Sequence, residues 1–570
     1  DIAINHTIAL LIVACPCALG LATPMTIAIA QGRAARQKIL IRRGDVFELL
    51  SQPGLLWLDK TGTITEGVIA IDAICDAEGQ PNAEVRALAY WNALFESGYA
   101  NPIDDALRAI KDKPIETVQK TGEIPYDFIR KRLSIAVNRN GQTLLISKGA
   151  FDQVLAVCQQ VRMPDGQLQD LISHESAIRS RYQSFGVNGW RVIAVAYKAI
   201  TKTPPVVTDE AEMIFAGFVL MQDPVKPGIR DTLRQLNQLG VSLKIITGDN
   251  QNVATAISRQ LGIESPVVVT GAALLAMSPE ALVHQAGSTH VFAEVEPQQK
   301  ERIIRALRET HHVAYMGDGI NDVSAIHAAD AGISVNNAVD IAKEAADFVL
   351  MEKDLSVVVD GIMEGRKTFA NTLKYIFINT GSTFGNMFSV ATASLILPFL
   401  PMLPKQILLT NFITDFPYLS IAADEVDAEQ LNRPGKWNIQ LIRRYMILFG
   451  IHSSLFDVLT FLLLFFLLRS DAATFQTGWF IESVLTELFI LFIIRTRKNF
   501  FLSRPGKYLS WLSLLGLLLT IGLPYTPWAA DIGFVPLPVS ILGWMLLMVL
   551  LYVLTADWLK VWFFRRFADA

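Results

Sequence analysis

The chain of 570 residues is 51% hydrophobic and only 18% charged, with a formal net charge of -4. This composition excludes an ordinary soluble protein, and the acidic balance argues against nucleic acid as a partner. Four cysteines in so long a chain exclude a disulfide framework, so free thiols are expected.

Apolar runs long enough to cross a bilayer, which takes about 20 residues, occur at both ends of the chain. One lies near residues 7–30, and the middle of the chain, residues 33–366, has none and is predicted to be soluble. We expect no cleavable signal peptide, because prolines and cysteines interrupt the first run and no small-residue cleavage site follows it. About six more spans are predicted after residue 368, near residues 369–398, 404–422, 445–468, 477–494, 509–525 and 537–562.

Positive charge is distributed unevenly over the loops between these predicted spans. Lysine and arginine follow the first span, cluster in every second loop and close the chain, whereas the alternate loops carry only Lys405 and Arg469. The positive-inside rule therefore predicts an integral membrane protein whose soluble middle and C-terminus are cytoplasmic. The cell membrane is the expected location.

The first predicted span contains a Cys-Pro-Cys sequence. Pro16 and Pro24 each remove a backbone donor and clash with the preceding turn, so the helix is expected to unwind there. Carbonyls freed in this way can bind cations, and the thiols of Cys15 and Cys17 suit a soft metal. A kink kept for packing is the alternative interpretation.

An apolar, strand-like run from Leu55 stops at Asp59 and is followed by Lys60, Thr61 and Gly62. In open α/β sheets, ligands bind beyond the carboxyl ends of the strands. A carboxylate in that position, beside a lysine, hydroxyls and a glycine amide, suits attack on a phosphoryl group and formation of an aspartyl-phosphate. A polar turn after a buried strand is the alternative.

Two later strand-like runs end in polar motifs of the same kind. One leads into Thr247-Gly248-Asp249-Asn250, and the other leads into Gly317-Asp318-Gly319-Ile320-Asn321-Asp322. Phosphoryl chemistry needs a nucleophile, a metal held by carboxylates and donors to the phosphoryl oxygens. With Asp59 as the nucleophile, we predict that carboxylates of the last motif hold Mg²⁺ and that a threonine and a lysine neutralise charge. These groups are Asp318 and Asp322 for the metal, and Thr247 and Lys300 for the charge.

The motifs DKTGT, TGDN and GDGIND stand unaltered in this sequence and resemble those of the P-type ATPases. These are ion pumps that phosphorylate an aspartate and fold their phosphorylation domain like haloacid dehalogenases. The resemblance covers nearly the whole chain and implies ATP as substrate and Mg²⁺ as cofactor. It implies a catalytic group of Asp59, Lys60, Thr61, Thr247, Gly248, Asp249 and Lys300, with Asp59, Thr61, Asp318 and Asp322 around the catalytic Mg²⁺.

The expected fold is that of a multidomain membrane protein. It combines an α-helical transmembrane bundle with an α/β haloacid-dehalogenase-like phosphorylation domain, into which an α+β nucleotide-binding domain is inserted. Alternating strands and helices over residues 221–350 favour a parallel, doubly wound sheet. The expected parts are the first span (1–32), a stalk with the start of the phosphorylation domain (33–67), the nucleotide-binding domain (68–220), the rest of the phosphorylation domain with a second stalk (221–366), and the C-terminal membrane domain (367–570).

Residues 123–132 and 146–150 resemble the nucleotide-binding domain of calcium- and magnesium-type pumps. This resemblance implies that Phe128 stacks on adenine, that Lys148 and Gly149 line the pocket, and that Arg191 meets the phosphates. The Ser-Glu-His-Pro motif that heavy-metal pumps carry in this domain does not occur in the sequence.

Thr121-Gly122-Glu123 has the same letters as the actuator motif of the family, whose glutamate positions the hydrolytic water. In the family that motif precedes DKTGT, whereas here it follows Asp59, so we assign it no such role. The chain is expected to begin at the family's fourth span, without the N-terminal part that holds the actuator. Normal turnover is expected only when that part is supplied.

Polar residues inside predicted spans are costly and indicate function. Asn379 and Asn386 lie seven residues apart, on one face of a helix, and Asp415 precedes a proline. Asp457 and Glu487 lie in later spans. We predict a site for the transported ion formed by Cys15, Cys17, Asn379, Asn386, Asn411 and Asp415.

Two resemblances conflict on the identity of this ion. The Cys-Pro-Cys span is similar to that of heavy-metal pumps, whereas residues 384–404 and 478–483 are similar to magnesium-translocating pumps. The longer match favours a divalent metal cation of the Mg²⁺ type, with export of Cu⁺, Zn²⁺ or Cd²⁺ as the alternative. A phospholipid flippase is disfavoured by Asp415 and the thiols, and a non-catalytic membrane subunit by the intact catalytic set. The expected partners are ATP, the metal cation and the lipid bilayer.

Overall fold

The computed structural model describes residues 17–567, apart from residues 52, 53, 60–62, 99, 100, 112, 113, 115–117, 128, 353, 433, 434 and 436. The strands of this part form two separate sheets. In chain order they are β1 (Ile39–Ile41), β2 (Gly54–Asp59), β3 (Ala70–Asp76), β4 (Gln119–Asp127), β5 (Arg132–Arg139), β6 (Gln142–Ala150), β7 (Cys158–Arg162), β8 (Leu168–Asp170), β9 (Arg191–Ile200), β10 (Met213–Gln222), β11 (Ser242–Ile246), β12 (Val268–Thr270), β13 (Val291–Ala293), β14 (His312–Met316), β15 (Ala331–Val335) and β16 (Phe348–Leu350).

The α-helices of the described part fall into two groups, short ones around the sheets and long ones in the C-terminal third. In chain order they are α1 (Cys17–Arg36), α2 (Val46–Ser51), α3 (Ala83–Phe95), α4 (Pro102–Arg108), α5 (Phe151–Leu155), α6 (Glu175–Val187), α7 (Ile229–Gln238), α8 (Gln251–Gln260), α9 (Gly271–Ala276), α10 (Pro279–Ser288), α11 (Pro297–Arg308), α12 (Val323–Ala328), α13 (Asp340–Ala345), α14 (Ser356–Ile396), α15 (Pro404–Ser420), α16 (Ala428–Leu431), α17 (Ile439–Phe461), α18 (Ala472–Ile494), α19 (Lys507–Gly522), α20 (Ala529–Ile532) and α21 (Val539–Phe567).

The first sheet confirms the predicted parallel, doubly wound arrangement. Its strand order is β1-β16-β15-β14-β2-β11-β13-β12, and only β1 runs antiparallel to its neighbour. The strand β2 lies in the interior of this order because its apolar run, including the buried Leu56, belongs to the core of the domain. Asp59 therefore ends a central strand at the edge where the parallel strands also end.

The second sheet is inserted between β2 and β11. It contains β3 to β10, which pair antiparallel except for β7 with β10. Two apolar clusters lie against it, one around Trp91 of α3 and Leu107 of α4, the other around Phe151 of α5 and Phe185 of α6. The insertion is thus an α+β unit, as predicted.

Four helices of the described part are long and apolar enough to cross a membrane: Ile439–Leu467, Ala472–Ile494, Lys507–Tyr525 and Val539–Phe567. The helix α18 is almost entirely buried inside the bundle, so it is the central helix. The two spans predicted near 369–398 and 404–422 are helical, in α14 and α15, but are not among the four. The first carries Asn379, Ser382 and Asn386 along its apolar stretch, and the second has only 17 residues.

The helix α14 is 41 residues long and joins the domain of the first sheet to the bundle. Val358 and Ile362 near its beginning pack in the core of the first sheet, whereas Ile378 packs in the core of the bundle. Between these ends, Lys374 donates to the buried carboxylate of Asp424 at 2.9 Å. The same carboxylate accepts hydrogen bonds from Arg495 Nε at 3.0 Å and from the backbone amide of Gly506 at 2.8 Å.

Candidate functional site

The catalytic candidates meet at the carboxyl edge of the first sheet. Asp59 lies opposite Ile246, the last residue of β11, so Thr247 follows at the same edge. Met316, the last residue of β14, lies opposite Leu58, which puts the loop with Asp318 on the other side of Asp59. The parallel register alone therefore brings together three motifs that are far apart in the sequence.

Lys300 links two carboxylates of this site. Its ammonium group, supplied by the first turn of α11, donates to Asp59 Oδ1 at 2.9 Å and to Asp322 Oδ1 at 2.7 Å. Asp322 also accepts from the hydroxyl of Tyr315 at 2.7 Å and from the amide of Gly319 at 3.1 Å. These donors hold Asp322 firmly, so Asp322 in turn fixes the lysine beside Asp59.

The electrostatics of the site depend on burial. The side chains of Asp59, Lys300 and Asp322 are only 15%, 8% and 3% exposed. Burial, opposed by Lys300 and assisted by the charges of Asp322 and Asp318, raises the pKa of Asp59 to about 6. Burial also favours a lower pKa for Lys300, but the two carboxylates outweigh it and the pKa of Lys300 is raised. The lysine therefore stays charged, as its predicted role of neutralising phosphoryl oxygens requires.

The carboxylates fit a divalent cation. One oxygen each of Asp59, Asp318 and Asp322 lies within 4.8 Å of the others, and hard oxygen ligands of this kind suit Mg²⁺. Both oxygens of Asp322 already accept hydrogen bonds, one from Lys300 and Tyr315 and the other from Gly319. Asp59 and Asp318 are thus better placed as metal ligands than Asp322. Lys60 and Thr61 lie outside the described residues.

The motif after β11 lies between this site and the inserted domain. Thr247 is buried, and its hydroxyl accepts from the amide of Asp249 at 3.1 Å, which shapes the turn. Asp249 forms an ion pair at 2.9 Å with Arg191, the first residue of β9. Arg191, predicted to meet phosphates, is thus held by the domain of the first sheet in this structure.

A cavity of about 440 Å³ opens between the two domains. This volume is typical of a small-molecule site. Of the predicted nucleotide residues, Lys148, Gly149 and Arg191 line it, whereas Phe128 lies outside the described residues. The further lining residues include Asn101, Tyr126, Lys131, Tyr182, Gly248 and Asn250.

Lys148 has two acidic neighbours that sequence reasoning missed. It is buried and donates to Asp104 of α4, and burial lowers its pKa. Glu96, directly after α3, hydrogen-bonds Asp104, and burial together with this contact raises the pKa of Glu96 to about 7. Neither acid belongs to a motif, so only the packing of α3 and α4 against β6 could reveal them.

In the membrane bundle, one residue of the predicted ion site, Asn386, is hydrogen-bonded to the buried carboxylate of Glu487. Asn386 and Ser382, one turn apart on α14, both donate to Oε1 of Glu487 on α18, Ser382 at 3.1 Å. Asn379, Asn411 and Asp415 make no side-chain hydrogen bond within the described part of the chain. Cys15 lies outside the described residues, as does the side chain of Cys17.

Comparison with known proteins adds independent observations. Residues 55–330 match the model of haloacid dehalogenase-like hydrolases, and residues 399–562 match that of the cation-transporting ATPase C-terminus. The chain is 36% identical to the P-type magnesium-transporting ATPase 1 of Salmonella typhimurium over 560 residues, which cover 95% of this chain and 62% of that protein. The chain belongs to the P-type cation-transporting ATPases.

Other members of this ATPase family match over similar or shorter lengths. The P-type magnesium-transporting ATPase 1 of Escherichia coli K12 is 36% identical over 562 residues, 95% of this chain and 62% of its own length. Calcium-transporting ATPase 1 of Lactococcus lactis is 26% identical over 457 residues, 75% of this chain and 52% of its own length. The chain thus spans less than two thirds of the length of these ATPases.

Within this ATPase fold, Thr121-Gly122-Glu123 lies on β4 of the inserted domain. Glu123 accepts from Lys120 Nζ and from Ser97 Oγ, both at 2.6 Å. These contacts join β4 to the segment after α3. Glu123 therefore has a structural role in this domain, and its resemblance to the actuator glutamate needs no catalytic explanation.

Proposed function

We propose that the chain is the catalytic and membrane core of an ATP-driven pump for a divalent metal cation, most simply Mg²⁺. The observation that carries the proposal is the contact of Lys300 with both Asp59 and Asp322 at the carboxyl edge of the parallel sheet. A largely buried nucleophile, a fixed cation and carboxylates that can hold a metal are the parts that phosphoryl transfer needs.

In the proposed reaction, a carboxylate oxygen of Asp59 attacks the γ-phosphorus of ATP. The new bond joins this oxygen to phosphorus, and the bond from phosphorus to the bridging oxygen breaks, so ADP leaves with the electron pair. Lys300, anchored by Asp322, neutralises charge on the phosphoryl oxygens. Asp59 and Asp318, with Thr61 as the sequence predicts, would hold Mg²⁺, which would further neutralise that charge when bound.

ATP is proposed to occupy the cavity between the domains. Its lining combines apolar side chains with Lys131, Lys148 and Arg191, which suits a base with an anionic tail. The same cavity includes Gly248 and Asp249, which lie on the loop that leads towards Asp59. A nucleotide in this cavity would therefore lie between the inserted domain and the loop that follows β11.

We expect nucleotide affinity to depend on Glu96. As pH falls through about 7, Glu96 takes up a proton, and one negative charge beside Lys148 disappears. Binding of anionic ADP should then tighten by roughly two- to fivefold, the size of one partly screened charge interaction. Glu96→Gln should bind ADP with the affinity that wild type shows at low pH.

Calorimetric titration with ADP across neutrality checks this expectation. Comparing the ADP affinities of wild type and Glu96→Gln at each pH cancels the effect of the nucleotide's own protonation, which is the same for both proteins. Glu84→Gln is the matched control, because Glu84 lies on α3, the helix that ends directly before Glu96, but pairs with Arg139 at 2.6 Å. A wild-type affinity that runs parallel to that of Glu96→Gln at every pH would contradict the role of Glu96.

The transported cation is proposed to bind around Glu487, Asn386 and Ser382, with Asn379, Asn411 and Asp415 as additional oxygen ligands. A carboxylate with amide and hydroxyl oxygens suits Mg²⁺ better than a soft metal. The names of the magnesium-transporting relatives support the same ion. The observation that favours a transition metal instead is the pair Cys15 and Cys17.

Metal accumulation distinguishes the two ions. In sealed vesicles that contain the full-length protein, ATP should drive accumulation of Mg²⁺, measured by elemental analysis, and Cys15→Ser/Cys17→Ser should retain it. Glu487→Gln should lose most of it, because a buried oxygen ligand with a negative charge is removed. Glu429→Gln, at an exposed ion pair with Lys498, is the control. Accumulation of only Cu⁺, Zn²⁺ or Cd²⁺, abolished by the double serine variant, would establish the transition-metal alternative.

We further propose that the pump lies in the cell membrane with its two sheet domains and its C-terminus in the cytoplasm. The distribution of lysine and arginine over the loops supports this orientation. It also places the ATP cavity on the side of the membrane where ATP is made.

A further inference from the structure

Two carboxyl groups meet inside the membrane bundle, apart from the proposed cation site. Asp457 on α17 and Glu482 on α18 are 4% and 1% exposed, and their carboxyl groups lie within reach of each other. Within the described part of the chain, no lysine, arginine or histidine forms an ion pair with either. Two buried carboxylates in contact without a cation repel each other strongly, so such a pair holds a proton.

The hydrogen bonds show which of the two carries that proton. Asp457 accepts from the hydroxyl of Ser389 and from the indole of Trp479, each at 2.7 Å, one at each of its oxygens. Asp457 is thus surrounded by donors, as an ionised carboxylate requires. Oε2 of Glu482 is buried, and no donor in the described part of the chain reaches it. As a protonated group, Glu482 donates to Asp457 and leaves no ionised oxygen without a partner.

The titratable groups on the neighbouring helices do not supply the missing donor. Glu487 lies on the same helix as Glu482 and accepts from Ser382 and Asn386. Tyr552 of α21 hydrogen-bonds Ser453, and His452 of α17 contacts the hydroxyl of Thr555 at 3.0 Å. On α15, Asp415 and Tyr418 make no hydrogen bond to the pair, and the hydroxyl of Tyr418 contacts Ser382.

We propose that Asp457 and Glu482 form a proton-binding site in the membrane domain, in which neutral Glu482 donates its proton to ionised Asp457. The site is distinct from the proposed cation site, because its donors, Ser389 and Trp479, are different from Ser382 and Asn386. It does not depend on which cation is transported, so it can be tested separately from the proposed function.

Infrared spectroscopy of the purified full-length protein at neutral pH tests this proposal. A protonated carboxyl group has a C=O stretching band that is separate from the bands of ionised carboxylates and shifts in D₂O. Glu482→Gln should lose one protonated-carboxyl band relative to wild type and no carboxylate band. Its amide can donate to Asp457 as the proposed acid does, so the variant should fold.

Two further variants keep the test decisive. Asp471→Asn, at the exposed end before α18, should lose a carboxylate band and no protonated band. Asp457→Asn should shift the band of Glu482, because its acceptor changes from a carboxylate to an amide. Loss of a carboxylate band in Glu482→Gln, with the protonated bands unchanged, overturns the proposal because Glu482 is then ionised. An unshifted protonated band in Asp457→Asn overturns the pairing.

Discussion

Asp59→Asn is expected to abolish formation of a phosphoenzyme. Asparagine preserves the shape of the side chain but offers no anionic oxygen to attack phosphorus, so no acyl phosphate forms. After incubation of the full-length protein with labelled ATP and Mg²⁺, wild type should carry an acid-stable label that hydroxylamine removes. The variant should show only background labelling.

The control for this experiment is Asp231→Asn. Asp231 lies on the exposed surface of α7 in the same domain and pairs with Arg234 at 2.9 Å. This variant should be labelled like wild type, which separates loss of the nucleophile from loss of one carboxylate elsewhere. Equal labelling of Asp59→Asn and wild type would show that another residue is phosphorylated.

Lys300→Met should slow phosphorylation by roughly 10²–10³-fold, the usual effect of removing one preorganised group that stabilises a transition state. The lysine also lowers the pKa of Asp59, against the larger effect of burial. Without it, the pKa of Asp59 rises above about 6, and more of the nucleophile is protonated at neutral pH. Part of the lost rate should therefore return as pH is raised.

Rapid-quench measurement of the phosphorylation rate against pH checks both effects. Lys244→Met is the matched control, since Lys244 is also a buried lysine of this domain but donates to the backbone carbonyls of Gly287 and Thr289. Its phosphorylation rate should stay near that of wild type. An equal loss in both variants would point to a folding defect rather than to chemistry at Asp59.

The part of the site that could be predicted from sequence is the part determined by the parallel sheet. Once β2, β11 and β14 are recognised as parallel strands, their carboxyl ends must lie side by side, and Asp59, Thr247 and Asp318 follow from the register. Lys300 follows because its helix is a crossover of the same sheet. No knowledge of side-chain packing is needed for these predictions.

The part that could not be predicted depends on how separate units face each other. The hydrogen bonds of Ser382 and Asn386 to Glu487 depend on how α14 and α18 are rotated about their own axes. The apolar sequence of a membrane span does not predict this rotation. The ion pair of Arg191 with Asp249 requires the docking of two domains. The spacing of four residues between Ser382 and Asn386 was the available signal, because it places both on one helix face.

The course of α14 through two cores has a mechanical consequence. At about 1.5 Å per residue, the helix is roughly 60 Å long, and Lys374, held by Asp424, lies near its middle. A rigid rod held near its middle behaves as a lever with a fulcrum there. A tilt of about 5° would move its two ends by roughly 2–3 Å in opposite directions. A small displacement at the beginning of the helix, 18 residues before Lys374, would thus reach Asn386, 12 residues after it, at about two thirds of its size and in the opposite direction.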